Sequence, residues 1–386
     1  MSSSPFRRTR QRAPWIALSA SLLGVLALVW WYAIGRPARA REHGPYAAIA
    51  KGQECLKKGQ PRQALGAVAR IPVNGPWAAG VLTVKGLAFA ALDRPQDARP
   101  LLEQSLKLDQ KQPMAAKVLA AVYFSSNETD RGFQMLALAA RLDPDDFRPW
   151  YAAGDVYLTV RNQPEEAVKV FKQALLRRPN DDESRIGLID ALLASGSATD
   201  VKPLLDAILP NHPSDPRILC LVARFARYQG QLDEMGTYAE RALAVDPDSV
   251  EALVLRAEFL HHTGHDQEAL SHAERAVALH SDNLAALSLL AVVQGSLGLK
   301  DRSVATSERH RIALERSEQI QQLSDQMRQR PNDPEPRWKL GRAAAEGGMT
   351  NMAIRCFQAA LALDPNCQPA RAGLMALSRS GTGSTP

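Results

Sequence analysis

The sequence predicts an all-α protein built as a solenoid of antiparallel helix pairs. Two observations carry that prediction. The first is a proline series: Pro144, Pro179, Pro213 and Pro247 are spaced 35, 34 and 34, and Pro331 and Pro365 are again spaced 34. Ser281, Gln110 and the pair Ala64 and Ala98 fall on the same step. The second is helical spacing inside the last copy. Leu340 and Ala344 lie four apart, and Ala353, Phe357 and Ala360 line one face of a second helix. Gly347-Gly348 supplies the turn between the two helices, and Pro365 stops the second because it has no amide proton to donate. Each such pair buries its apolar face only against its neighbours, so the repeats are expected to form one continuous stack.

Taken in order, the chain opens with a basic tail, residues 1–13, carrying Arg7, Arg8, Arg10 and Arg12. Residues 14–35, PWIALSASLLGVLALVWWYAIG, follow without a single charge. About 20 apolar residues suffice to span the hydrocarbon layer as a helix. Trp15 at one end and Trp30, Trp31 and Tyr32 at the other suit the headgroup zones. A single transmembrane helix in contact with the lipid bilayer is therefore expected here. The short tail and its four arginines favour an N-terminus in the cytoplasm, with the repeats outside it, which in a bacterium is the periplasm. The flanking bias is small, because Arg36, Arg39 and Arg41 follow the span. The rival is a cleaved signal peptide, since Ala38-Arg39-Ala40 has the small-x-small form of a cleavage site. Residues 36–44 form a linker.

The repeats run from 45 to 367 as nine units. They begin at 45, 79, 113, 147, 182, 216, 250, 284 and 334. The fourth holds one extra residue near Arg161-Asn162-Gln163-Pro164, which accounts for the single step of 35. The fifth and sixth depart from the pattern, with Val201 and Met235 where alanine is expected. The eighth is lengthened, since the step from Ser281 to Pro331 is 50 and not 34. No Pro or Gly interrupts 301–330, so one long second helix is predicted there, with its added turns projecting from the stack as a docking arm. Residues 368–386 form a cap and a polar tail.

The last unit carries a resemblance. Leu340-Gly341, Ala344, Ala353, Phe357, Ala360 and Pro365 resemble the tetratricopeptide repeat family; Arg337 stands where that pattern prefers Trp. The fourth unit repeats it with Trp150, Gly154, Tyr157, Ala167, Phe171, Ala174 and Pro179. The resemblance implies a right-handed superhelix of helix pairs that holds protein or peptide partners and does no chemistry. In that family the first helix of each unit lines the groove, and partners touch its second, fifth, ninth and twelfth positions. Carried over residue by residue, these are Lys117 and Phe124, then Arg148, Tyr151 and Asp155, then Arg217, Arg224 and Arg227, then Glu251, Glu258 and His261. The three arginines of the sixth unit are spaced to share one face and to accept an acidic segment or a chain-end carboxylate. The Lys and Asn pair that chaperone-binding members use as a carboxylate clamp is absent.

Composition excludes other classes. The formal charge of +6 is concentrated in the first 41 residues, which hold seven Arg and no acid, so the repeats are close to balanced and no nucleic-acid partner is expected. No HExxH, glycine-rich phosphate loop or Gly-x-Ser-x-Gly elbow is present, and neither enzyme activity nor a cofactor is expected. Cys55, Cys220, Cys356 and Cys367 form no CxxC, and a metal site is not expected either. His261, His262 and His265 cluster at a turn and read as ordinary turn residues. Asp143, Asp246 and Asp364 precede the register prolines, so their role is structural. The function expected is a membrane-anchored interaction scaffold serving an envelope or membrane complex. The alternatives are a cytochrome maturation or secretion factor, a regulator of a cell-envelope biosynthetic enzyme, and a soluble exported binding protein after signal cleavage. The layout of one anchor followed by repeats is similar to that of lipopolysaccharide assembly protein B, without the paired CxxC motifs that end that pattern.

Overall fold

The computed structural model describes residues 44–381. The expected membrane segment, basic tail and most of the linker lie outside these residues. Among the described residues there are 19 α-helices and one short 3-10 turn. They pair as α1 (Pro45–Lys57) with α2 (Pro61–Val68), α3 (Ala78–Ala91) with α4 (Pro95–Leu108), and α5 (Pro113–Ser125) with α6 (Thr129–Leu142). Next come α7 (Arg148–Thr159) with α8 (Pro164–Arg177), α9 (Asp182–Ala194) with α10 (Val201–Ile208), and α11 (Pro216–Tyr228) with α12 (Leu232–Val245). The series ends with α13 (Val250–His262) and α14 (Asp266–Leu279), α15 (Leu284–Ser296) and α16 (Lys300–Gln329), α17 (Pro334–Glu346) and α18 (Thr350–Leu363), and the single α19 (Gln368–Gly381). No described helix is long and apolar enough to cross a membrane.

Each pair turns on one residue in the left-handed region. These are Gly59, Asp93, Asn127, Asn162, Gly196, Gly230, Gly264, Gly298 and Gly348, with φ between 49° and 79°. Their spacing reproduces the register, including the step of 35 to Asn162 and the step of 50 to Gly348. Asparagine and aspartate tolerate this conformation better than other side chains, which is why three turns manage without glycine.

The second helices bury one register position in eight of the nine units, the eighth unit's Ser303 being only half-buried. Ala64, Ala98, Ala167, Ala269 and Ala353 are fully buried there, and so are Val201 and Met235. The two departures from the pattern therefore fill the core rather than break it. In the third unit the position is Gly132, and the Phe124 ring lies over it. Within a unit the two helices approach closely at a first-helix glycine. A Cβ on Gly154 would stand 2.7 Å from the Phe171 ring, and one on Gly341 would stand 2.8 Å from Phe357. All four cysteines are buried and free. The aspartates before the register prolines cap the chain reversal. Asp246 accepts the backbone N–H of Asp248 at 3.2 Å, and Asp364 accepts that of Asn366 at 2.9 Å.

The described residues cluster into two compact units, 185–322 on one hand and 44–184 together with 323–381 on the other. In the first, α16 is fixed along its early turns. Thr306 donates to Gln294 at 2.8 Å, Arg302 pairs with Glu274, and Arg316 reaches Asp282 at 2.5 Å. In the second, the end of α16 is buried: Leu323 is 6% exposed and Met327 3%, and the Asn127 amide donates to the Ser324 hydroxyl at 3.3 Å. The expected free arm is thus corrected. The last turns are held because the apolar residues at 323 and 327 are buried, and 314–322 is the longest run of α16 without a buried residue.

Candidate partner-binding face

The first-helix positions divide into two groups that the structure treats differently. In the unit containing 44–184, Lys117 of α5 is buried, with its side chain 5% exposed and its ammonium 2.6 Å from Asp146. Asp146 also takes the Arg148 guanidinium at 2.5 Å and the Arg148 backbone N–H at 3.1 Å. Burial pushes the Asp146 carboxyl up, but its hydrogen bonds from Arg148 and Lys117 outweigh that and hold it below its usual range. Burial lowers Lys117 in spite of Asp146. Lys117 is therefore a core cation, and the expectation that it faces a groove is corrected: the ammonium is spent inside, on Asp146. Phe124 is half-buried, its ring 5.5 Å from Phe133 in an edge-to-face arrangement. Tyr151 packs toward Phe171 with ring centroids 6.0 Å apart. Asp155 shares the α7 face with Arg148 and Tyr151 by spacing. Burial pushes its carboxyl up to about 6.

In the unit 185–322 the arginines are engaged by carboxylates. Arg224 of α11 is held between Asp190 of α9 and Glu251 of α13, the latter at 3.4 Å. Arg227 reaches Glu258 at 3.1 Å, and Arg217 turns back to the N-cap residue Asp215 at 3.0 Å. Burial raises both Asp190 and Glu251 above their usual range even with Arg224 beside them. His261 lies 2.6 Å from Asp266. Arg217, Arg224 and Arg227 each have a carboxylate beside them, and the Arg224–Arg227 patch holds three acids to two guanidinium groups. Asp190 and Asp146 were missed. Asp190 was legible in principle, because it holds the same ninth position as Asp155, one unit further on. Asp146 was not, because it precedes the first helix and no first-helix pattern points to it.

Among the described residues no group of three or more His, Cys, Asp or Glu is arranged to hold a metal ion. The only buried side-chain nitrogens without a partner among the described residues are Trp150 Nε1 and Arg161 Nε, both in packed aromatic surroundings.

These helix pairs, their left-handed turns and their buried small residues define a helical repeat protein of the interaction-scaffold class. The tetratricopeptide repeat profiles match residues 83–147, 161–225, 223–283 and 335–367, together more than half of the chain. The chain belongs to the tetratricopeptide repeat family. Solved structures of similar fold include a tetratricopeptide repeat protein from Parabacteroides merdae, 16% identical, covering 65% of this chain and 98% of its own, with a TM-score of 0.49. PilF of Pseudomonas aeruginosa is 20% identical over 55% of this chain and 97% of its own, also at 0.49. A chain of the APC/C heterotetramer Cut9–Hcn1 is 15% identical and covers 94% of this chain and 69% of its own, at 0.46. No curated protein matches the chain.

Proposed function

We propose that this protein is a non-catalytic, membrane-anchored scaffold that binds protein partners along its first helices and supports the assembly of a membrane or envelope complex. The observation that carries the scaffold reading is the state of those helices. On α7 in one unit, and on α9, α11 and α13 in the other, they present charged side chains that are half-buried rather than freely hydrated. Such groups gain most from a complementary partner. The anchor reading rests on the charge-free residues 14–35, and the location of the repeats outside the cytoplasm rests on the four arginines before them. Ala38-Arg39-Ala40 favours a second reading, an exported binding protein released by cleavage.

Fractionation with a carbonate wash, followed by affinity purification from gently solubilised membranes, tests the proposal. The intact chain is expected in the washed membrane, together with stoichiometric membrane-complex subunits. A soluble chain beginning at Arg41 would replace the anchor by cleavage. An intact anchored chain that purifies alone would remove the scaffold role. An export-dependent reporter fused after Ser378 is expected to be active, and a silent one would reverse the topology.

A further inference from the structure

The half-buried carboxylates of the first helices obtain their cations in two ways. Arg224, ninth in its unit, reaches back to Asp190, ninth in the unit before. Arg227, twelfth in its unit, reaches forward to Glu258, ninth in the unit after. Asp155 is also ninth in its unit, and both supplies fail it. By register the residue that would reach forward to it is Phe124, an aromatic, and the ninth residue of the next unit in the sequence is Asp190, itself an acid. The cation on its own helix face, Arg148, lies two turns away and is bound to Asp146. Thr159 donates to the Asp155 backbone carbonyl at 2.7 Å and leaves the carboxylate alone. Among the described residues no ion pair or hydrogen bond reaches the Asp155 carboxylate. An ionised carboxylate in a half-dry place without a counter-charge costs stability, and one held there is a candidate for a ligand's charge.

We propose that Asp155 receives a basic side chain, lysine or arginine, from an extended segment of a partner protein. Tyr151 stands one turn before it on the same face, and Phe124 holds the register place of the missing arginine. An aromatic residue one turn from a carboxylate on one helix face suits the apolar stem and charged head of such a side chain. The upward shift of the carboxyl to about 6, caused by burial alone, agrees with a site that lacks its cation. This inference rests on the first helices being the partner-binding surface. It goes beyond that reading by giving the partner a charge, opposite to the one the three arginines of the sixth unit suggest.

The test is a selection. A randomised dodecapeptide display library is applied to the full chain in detergent micelles, in wild-type, Asp155→Asn and Glu165→Gln forms, with a melting curve for each. Wild type and Glu165→Gln, an exposed acid on the second helix α8, are expected to enrich peptides with lysine or arginine at one fixed place. Asp155→Asn is expected to lose that preference, and a wild-type-selected peptide is expected to bind it about tenfold more weakly, as for a partly desolvated charge pair. Enriched peptides that lack a basic residue, or a basic preference that persists in Asp155→Asn, would overturn the inference and leave the scaffold reading intact. Failure of any peptide to be enriched on wild type would remove the first helices as a binding surface, and the inference with it.

Discussion

Two ion clusters built around first helices do opposite things. Around Asp146, Lys117 and Arg148 the charges are nearly dry, and the acid is held below its usual range because two cations serve it. Around Arg224 the charges are a quarter to a half exposed, and burial raises the acids above their usual range because the one guanidinium they share does not outweigh it. The ratio of cations to acids, together with burial, separates a cluster that holds repeats together from one that is left wanting a partner. Asp155 is the limiting case, with no cation at all.

Removing the hub of the dry cluster has the largest expected effect. Asp146→Ala leaves Lys117 buried without its acid, and loss of one partner of a buried pair costs about 3–5 kcal/mol. A urea titration followed by circular dichroism checks this, and a loss below about 1 kcal/mol would make the cluster a surface feature. Lys117→Met is the companion: it leaves Asp146 with Arg148 and is expected to cost less.

The next effect has the opposite sign. Asp155→Asn is expected to stabilise the fold by about 1–2 kcal/mol at pH 7.5, since it removes an acid whose burial works against ionisation. The folded-state value of about 6 lies above the ordinary one of 3.8, so the wild type loses stability as pH rises through that window. The gain from Asp155→Asn therefore shrinks below about 6 and is absent near 4. Asp146 runs the other way: its value is lowered, so its contribution is present above the ordinary carboxylate value and fades only under stronger acid. Melting curves across pH 4 to 8 check both signs, and a gain independent of pH would sink the account of Asp155.

Arg224→Ala follows, at about 1–2 kcal/mol, because it leaves Asp190 and Glu251 facing each other without a cation. Arg224→Ala combined with Asp190→Asn is expected to recover part of that loss, and strict additivity would show that the pair is not coupled. The smallest effect is expected at Arg227→Ala. Its contact with Glu258 lies at 3.1 Å with the guanidinium nearly half exposed, and such pairs contribute about 0–1 kcal/mol. A loss of about 3–5 kcal/mol there, as for a buried pair, would show that the two clusters do not differ in kind.

Much of the fold was legible because a constant repeat step leaves its mark in prolines, alanines and turn glycines alike. The limits of that reading are equally physical. Asp93, Asn127 and Asn162 hold left-handed turns as well as glycine does, but as letters they do not announce it. Val201 and Met235 were counted as mismatches, although the position asks only for an apolar side chain the neighbours can enclose. Lys117 was placed by register on a surface, yet register does not know that Asp146 lies beneath it. The added turns of α16 carry Leu323 and Met327, whose surroundings include Asn127, far back in the sequence. Such distant contacts leave no local trace.

The left-handed turns also bear on how such a chain can change its length. Gly230 and Gly264 have nearly the same backbone angle and stand one repeat step apart. Deleting residues 231–264 would join Gly230 to His265 and leave every remaining hairpin with its own reversal residue. Recombination between coding segments for these turns would create or remove a whole helix pair with no new junction to invent. The same cut between Gly298 and Gly348 covers a longer step and discards the whole of α16 with its contacts. Most of the chain is thus written in interchangeable modules, and the eighth unit is the place where that freedom has been given up.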